Sequence, residues 1–339
     1  MERTGEGCMS EYVFEDALAR SIVSCGFPQL EIAVERVPGD PRPCSSVFFP
    51  GCSLINYGLP LVNAVYDTLS DAGCVDGVSL LCCGKILSYE PDGDAVRASF
   101  EEQLRASLRS SEVERIVAAC PNCVQALRAA LAADERTAGI QVVALPAVLA
   151  DLGYRIDEGV ARRLLAQETG VAASEVRASV HDSCPDRDTG EFADGVRALM
   201  PADLVVELAH IRKRSYCCGS LLRAVGKFDR ADDAARRHGQ EARAAGSSAF
   251  VVACMSCALQ LETFAAPISA FHYLELLYDW RIDWSRADSY MKLRFLFDDA
   301  LDAVEGASSS RAFASLGAPK AACAAGVGQR VETSPEVIS

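Results

Sequence analysis

Short apolar runs of four or five residues recur along the chain, and many of them lead into a cysteine. Val47–Pro50 (VFFP) stops two residues before Cys52, and Val78–Leu81 (VSLL) leads directly into Cys82. Runs of this length that are rich in β-branched or aromatic residues and are bounded by Gly, Pro or Cys predict strands. The six predicted strands are 47–50, 78–81, 116–119, 178–181, 204–208 and 250–253.

The stretches between these runs have helical patterns. Asp94 and Asp229 are predicted to cap helices, and Gly73 and Gly246 stand where helices are expected to end. Strands that alternate with helices form βαβ units around parallel sheets, which predicts an α/β fold. The predicted helices are 56–72, 94–110, 124–133, 191–200 and 229–245.

The flanks are less regular than the centre. An amphipathic stretch at 13–23 and a Pro-rich link precede the first predicted strand, and 271–280 and 289–304 have a helical pattern. From Gly306 the chain is rich in Ala, Ser and Gly, which predicts a disordered tail. The expected domains are an N-terminal extension (1–45), two repeats (46–150 and 170–281), and a helix with a disordered tail (282–339).

Composition and charge narrow the class of protein. A chain of 339 residues is long enough for about two domains and a large core without disulfides. Its net charge of −14 argues against nucleic acid as a partner. The sequence contains no apolar run long enough for a membrane span, and its start lacks the basic and apolar regions of a secretory signal. We therefore expect a cytoplasmic protein.

Ten of the fifteen cysteines form two sets with the same internal order. In each set a single cysteine is followed by a Cys-Cys-Gly triplet and then by a Cys-x-x-Cys pair. The five positions repeat at offsets of 132, 135, 135, 134 and 134 residues, so the chain contains two tandem Rossmann-like repeats about 134 residues apart. The sets are Cys52, Cys82, Cys83, Cys120, Cys123 and Cys184, Cys217, Cys218, Cys254, Cys257.

The other five cysteines, Cys8, Cys25, Cys44, Cys74 and Cys323, have no counterparts at this offset, and we expect them to be small buried hydrophobic residues.

The ten cysteines of the two sets lie at the predicted C-terminal ends of strands, the edge where open α/β sheets bind ligands. Helix N-termini at that edge stabilise thiolates. Zinc takes four ligands in a closed tetrahedron, whereas each set offers five, so the count suits iron and sulfide better. Gly84 and Gly219 permit the sharp turn that adjacent ligands need. A thioredoxin-like dithiol at Cys120 and Cys123 is a further alternative, but it leaves the distant triplet without a role.

The twice-repeated pattern of Cys, Cys-Cys-Gly and Cys-x-x-Cys resembles the cysteine-rich CCG domain family. That family includes the catalytic B subunit of heterodisulfide reductase and the iron–sulfur subunits of glycolate, lactate and glycerol-3-phosphate oxidoreductases. The segments Phe49–Cys52 and His181–Cys184 also look like those that carry the first cysteine in such proteins. The resemblance covers about residues 46 to 281.

The resemblance implies one 4Fe-4S cluster per repeat, non-cubane or cubane, held by the ten cysteines. It also implies reduction of a disulfide-like small-molecule substrate, or an electron relay, with a flavoprotein or ferredoxin-like subunit as partner. The alternative is a non-catalytic scaffold stabilised by zinc or a cubane cluster.

Two features depart from relatives. Ser220–Arg223 follows the second triplet where many relatives have glycines, and the chain lacks both a two-cluster ferredoxin motif and a GxGxxG motif.

Several other residues are weaker candidates. Lys85 and the run Arg212–Arg214 lie beside the triplets, where positive charge would offset that of a cluster. For the run, a solvated loop or a partner-docking patch is the preferred interpretation. Histidine has a near-neutral pKa, which suits His181 to donate a proton to a leaving thiolate. The more common alternative is a strand histidine that is hydrogen-bonded within the core. We expect Asp186 and its neighbours to cap the following helix, and His272 to pack within a helix.

Overall fold

A computed structural model describes residues 23–25, 44–79, 82–85, 88 and 93–284. The amphipathic stretch before Val23, the predicted helix at 289–304 and the tail from Gly306 lie outside these residues.

The first repeat is built on a five-stranded sheet with the order β1-β3-β2-β4-β5. Strand β1 runs antiparallel to β3, and the other neighbours are parallel. Phe48 and Phe49 of β2 are fully buried, as expected for the central part of a parallel sheet. The strands are β1 Val23–Cys25, β2 Ser46–Phe49, β3 Gly77–Ser79, β4 Arg115–Ala118 and β5 Gln141–Ala144.

The second repeat has a three-stranded parallel sheet with the order β6-β7-β8. Its strands are β6 Ala178–His181, β7 Ala249–Val252 and β8 Ser269–His272. The order matches β2-β4-β5 of the first sheet, which confirms two parallel-sheet α/β units.

The prediction of a strand at 204–208 is wrong. Residues Ala202–Leu204 form a 3₁₀ turn, and Val205 makes only an isolated parallel bridge to Ala178 of β6. This bridge occupies the place that β3 has beside β2 in the first sheet. The segment is therefore in the expected position but makes too few pairs to be a strand.

The predicted helices are present, with ends that differ by at most four residues. The first of them is interrupted at Gly58, which has non-helical angles, and contains Pro60. The helices are α1 Cys52–Asp71, α2 Gly93–Ser110, α3 Pro121–Ala132, α4 Leu145–Asp151, α5 Glu158–Thr169, α6 Glu191–Leu199, α7 Ser220–Ala224, α8 Phe228–Ala244, α9 Met255–Phe264 and α10 Tyr273–Leu277.

The helix ends were predicted better than the starts. Gly73 and Gly246 follow α1 and α8 with positive φ, as the sequence predicts. Asp94 and Asp229 lie inside the first turns of α2 and α8, so neither is the N-cap. Asp229 still places a negative charge near a helix N-terminus, where the helix dipole favours it.

The two repeats pack against each other through reciprocal contacts. Helix α9 of the second repeat contacts α1 of the first, and α3 of the first contacts the 3₁₀ turn Cys184–Asp186 of the second. Because α3 and α9 are equivalent, and α1 and the turn both begin at the first cysteine of their set, the contacts follow an approximate two-fold relation. This arrangement brings the two cysteine sets towards each other.

Candidate metal centre

The first cysteine set gathers at the C-terminal ends of β2, β3 and β4. Cys52 begins α1, Cys82 and Cys83 follow β3, and Cys120 is the N-cap of α3, with Cys123 one turn later. Their side chains form a row in which Cys82 hydrogen-bonds to Cys52 and Cys83, Cys83 bonds on to Cys123, and Cys123 bonds to Cys120. Five thiols from three chain segments thus form one connected row.

The second set repeats this row position by position. Cys184 contacts Cys217, which contacts Cys218. The Sγ atoms of Cys218 and Cys257 are 3.2 Å apart, and Cys257 contacts Cys254 in turn. The repeat seen in the sequence is therefore a repeat of three-dimensional contacts.

The two rows meet at equivalent residues. The side chain of Cys120 hydrogen-bonds to that of Cys254, the first cysteine of the second Cys-x-x-Cys pair. Asn122 adds a hydrogen bond from Nδ2 to the Sγ of Cys254, at 3.5 Å. The ten predicted ligands consequently form one continuous row across the interface of the repeats.

The triplet glycines shape both rows in the same way. Gly84 and Gly219 have φ angles of 71° and 98°, and each donates its backbone N–H to the first cysteine of its triplet at 3.4 Å. A Cβ atom at Gly219 would lie 2.4 Å from the carbonyl oxygen of Ala231, and one at Gly84 would lie 2.8 Å from the Phe100 ring. Both positions require glycine on conformational and steric grounds.

Crowding moves the pKa values of neighbouring thiols apart. Hydrogen bonds from Cys184 and Cys218 lower the pKa of Cys217 to about 2. The reciprocal hydrogen bond with Cys217, together with burial, raises the pKa of Cys218 to about 12. In the first repeat, the contact with Cys123 likewise lowers the pKa of Cys83. Raised and lowered pKa values therefore alternate along the row of the first repeat. In the second repeat, hydrogen bonds with neighbouring thiols and burial raise the pKa values of Cys218, Cys257 and Cys254 alike.

The donor set fits a metal or an iron–sulfur cluster. Five thiolates in one place repel each other unless a cation offsets their charge, and a bound metal removes that cost. The structure shows no disulfide among the twelve cysteines whose side chains it describes, Cys44 and Cys74 included. The clusters of cysteines are compatible with metal or iron–sulfur binding.

Of the basic candidates, Lys85 contacts a cysteine of the first set, whereas Arg212 contacts carboxylates. Lys85 donates its backbone N–H to the thiol of Cys83. Arg212, by contrast, forms an ion pair with Asp194, and its backbone N–H donates to Asp182 at 2.6 Å. Arg212 is therefore tied to carboxylates of its own repeat.

His181 lies beside the second set. One of its ring nitrogens and the Sγ atoms of Cys218 and Cys257 are all within 4.8 Å of one another, and all three residues are buried. Its Nδ1 atom is 2.9 Å from Nε2 of His238, a residue that the sequence analysis missed. Burial lowers the pKa of His181 to about 4 and that of His238 to about 3, so both rings are neutral near pH 7.

The remaining candidates have structural roles. Asp186 accepts hydrogen bonds from Ala193 N at 2.9 Å and from Thr189, and so satisfies the N-terminus of α6 as expected. His272 is not inside a helix; it ends β8 and caps α10, where the side chain of Glu275 accepts its backbone N–H at 2.6 Å. The helix predicted at 271–280 therefore begins two residues later, because the preceding segment pairs with β7.

Fold and site together define an α/β protein with two equivalent cysteine centres at adjoining sheet edges. The family model of the cysteine-rich CCG domain matches the chain twice, at residues 46–128 and 178–262. The chain therefore belongs to the CCG cysteine-rich domain family. No helix in the described part of the chain is both long and apolar enough to cross a membrane.

Other comparisons add little. The sequence matches no curated protein. Among solved structures, the chain is similar to the crystal structure of glutamate racemase isoform RacE1 from Bacillus anthracis. The two share 9% identity over 77% of this chain and 85% of the racemase chain, with a TM-score of 0.30. A similarity of this size carries no argument about activity.

Proposed function

We propose that the protein binds one 4Fe-4S cluster in each repeat through its ten repeated cysteines and transfers electrons between a partner subunit and a second redox group. The observation that carries the proposal is the continuous row of thiols, in which Cys120 and Cys254 meet. Two clusters held by touching ligands are close enough to exchange electrons. When bound, they supply the one-electron chemistry that side chains cannot.

The chain's own residues hold the clusters and adjust their potentials. The backbone N–H groups of Gly84 and Gly219 donate to ligand sulfurs, and such hydrogen bonds raise cluster potentials. Four of the cysteines, Cys52, Cys120, Cys184 and Cys217, are only half-buried, which leaves an approach for a substrate. A heterodisulfide reductase-like reaction consumes two electrons and two protons for each disulfide that is cleaved to two thiols.

The partner is a flavoprotein or ferredoxin-like subunit, since the sequence offers neither a dinucleotide motif nor a ferredoxin motif. Free thiols in the described residues suit a reducing compartment, and we place the protein in the cytoplasm.

The first test is anaerobic purification followed by assays of iron and acid-labile sulfide and by EPR spectroscopy. We expect about one cluster per repeat. Cys218→Ser should remove the signal of the second repeat, whereas Cys74→Ser, outside both sets, should leave both signals. Stoichiometric zinc with less than one cluster per chain would contradict the proposal. Oxidation of a reduced cluster by an added disulfide separates a reductase from a relay.

One observation favours a second candidate, a metal-stabilised scaffold. His181, Cys218 and Cys257 form a mixed histidine and cysteine group of the kind that zinc binds. Replacement of Cys82 or Cys217 separates the two functions. Loss of fold without any redox signal in the wild type supports the scaffold, and loss of a redox signal with the fold intact supports electron transfer.

A further inference from the structure

A series of polar side chains leads from the second cysteine set to the protein surface. We call this series, which consists of His181, His238, Glu241 and His210, the histidine file. It begins at His181 on β6, whose Nε2 atom is buried without a hydrogen-bond partner in the described part of the chain. The Nδ1 atom of His181 is 2.9 Å from Nε2 of His238 on α8. The two buried rings are therefore linked by one hydrogen bond.

The file continues to the surface through Glu241. Nδ1 of His238 lies 3.5 Å from Oε2 of Glu241, and neither atom has a hydrogen-bond partner among the described residues. Oε1 of Glu241 is 2.8 Å from Nδ1 of His210, whose side chain is 40% exposed. Nε2 of His210 is 3.2 Å from the hydroxyl of Tyr216. A small approach of His238 to Glu241 completes the connection to solvent.

Aromatic packing fixes the rings of the file. Phe250 stacks on His238 with ring centroids 4.6 Å apart, and Tyr216 stacks on His210 at 4.1 Å. The guanidinium of Arg237 lies over the ring of Tyr216, 4.4 Å from its centroid. These contacts place the rings where their nitrogens reach the neighbouring groups of the file.

The first repeat has no equivalent of the buried part of the file. At the repeat offsets, His181 corresponds to Phe49 and His238 to Leu104, and both apolar residues are buried. The fold of a repeat is therefore compatible with apolar residues at these positions. Three of the chain's four histidines belong to the file. The histidines are thus an addition specific to the second cysteine set.

We propose that His181, His238, Glu241 and His210 form a proton path between solvent and the second cysteine set. The inference rests on the proposed function for its use, because cleavage of a disulfide-like substrate takes up one proton for each thiol released. The electrons come from the partner subunit.

The transfer along this path balances. A proton bound by Nε2 of His210 releases the Nδ1 proton to Glu241. The protonated carboxyl group then rotates and passes that proton to Nδ1 of His238. His238 gives its Nε2 proton to Nδ1 of His181, and His181 gives its own Nε2 proton to the thiolate of the cleaved substrate, which leaves as a thiol. One proton enters and one leaves, and rearrangement of the tautomers resets the path.

The test uses the metal-free full-length chain with ¹⁵N-labelled histidine, in which NMR measures exchange of the buried ring N–H groups with solvent. We expect Glu241→Gln to slow exchange at His181 and His238 severalfold, because an amide in this place cannot relay a proton. The ring N–H of His272, outside the path, serves as an internal control. Glu262→Gln is the matched variant, since Glu262 and Glu241 have similar side-chain exposures of 16% and 13%.

Unchanged exchange in folded Glu241→Gln would overturn the proton path. If circular dichroism shows that this variant is unfolded, His210→Gln provides the same test at the exposed end, with the same slowing expected. Iron and sulfide content is measured separately on anaerobic protein. A chain that binds no cluster but shows the slowed exchange contradicts the proposed function and leaves the path standing, and the reverse result contradicts only the path.

Discussion

Asn122 of the first repeat donates a hydrogen bond to the Sγ of Cys254 in the second, at a distance of 3.5 Å. The donor belongs to one Cys-x-x-Cys motif and the acceptor to the other. Hydrogen bonds to ligand sulfurs stabilise the reduced state of a cluster because they draw electron density from the sulfur. Under the proposed function, the first repeat therefore influences the potential of the cluster that the second would bind.

With the proposed cluster in the second repeat, we expect Asn122→Ala to lower its reduction potential, since the sulfur of Cys254 loses a donor. A redox titration followed by EPR measures the change. Gln125→Ala, an exposed position on the same helix, is the control and should leave both potentials unaltered. An unchanged potential in Asn122→Ala would show that the hydrogen bond has no electronic role.

Gly219 is expected to tolerate no side chain. Gly219→Ala places a Cβ atom 2.4 Å from the carbonyl oxygen of Ala231 at a φ of 98°. The positive φ alone costs about 1 to 2 kcal/mol, and the contact with backbone adds about 1 to 3 kcal/mol of strain. Urea unfolding should show this loss in the free energy of unfolding, and metal binding in the second repeat should weaken with it.

Gly246→Ala separates the two costs. Gly246 has a φ of 81°, but a Cβ atom there meets nothing within 4 Å. The variant should therefore lose only the conformational part, about 1 to 2 kcal/mol. Equal losses in the two variants would mean that Ala231 moves away without cost.

Arg197 is expected to be important for the stability of the second repeat. It donates to the buried carboxylate of Asp182 at 2.6 Å and also pairs with Glu207. Arg197→Met leaves the buried Asp182 carboxylate without its charged partner, with only the backbone N–H of Arg212 still donating to it, which costs about 3 to 5 kcal/mol. The free energy of unfolding measures the loss. Arg236→Met, which removes an exposed pair with Asp233, should cost less than about 1 kcal/mol.

His272 and Glu275 are expected to have opposing effects on stability against pH. Burial lowers the pKa of His272 from 6.5 to about 4, so its contribution is present above pH 6.5 and is lost as the pH falls through 4. Burial raises the pKa of Glu275 from 4.5 to about 7, so its contribution is present below pH 4.5 and is lost as the pH rises through 7. The two effects offset each other between pH 4.5 and 6.5.

His272→Asn should reveal the contribution of Glu275. Asparagine can still cap α10 but does not titrate in this range. Relative to the wild type, the variant should gain free energy of unfolding as the pH falls from 6.5 to 4.5. The two curves should diverge by at most about 1.4 kcal/mol per pH unit. Parallel curves would show that His272 does not titrate differently in the folded chain.

The repeat of cysteines was the most informative feature of the sequence. Cys52, Cys82 and Cys120 follow runs of strand character. Since parallel strands end at one edge of a sheet, the sequence predicts that these cysteines lie close together. The contact between the first and second Cys-x-x-Cys pairs could not be predicted, because it depends on how α9 packs against α1. Packing between repeats leaves no periodic signal in the sequence.

Other parts of the fold were hidden for local reasons. The run at 204–208 has the composition of a strand, but a 3₁₀ turn at Ala202–Leu204 leaves Val205 with a single bridge. The predicted helix at 271–280 includes the last two residues of strand β8, because Phe271 and His272 continue the apolar pattern of α10. Their pairing with β7 decides the backbone conformation instead.

The histidine file could have been suspected from scarcity alone. The chain has four histidines, and two of them replace buried apolar residues of the other repeat, Phe49 and Leu104. Their partner Glu241 gave no signal, since an acidic residue on a helix is usually a solvated one.

The contact between Cys120 and Cys254 has the geometry of an isologous dimer, in which a residue on the symmetry axis touches its own copy. Here both partners belong to a single polypeptide, so a substitution in one is not copied into the other. A true homodimer with His181 and His238 in one subunit would carry them in both. Because the two halves are covalently joined, the second centre can carry His181 and His238 while the first keeps Phe49 and Leu104 at the equivalent positions.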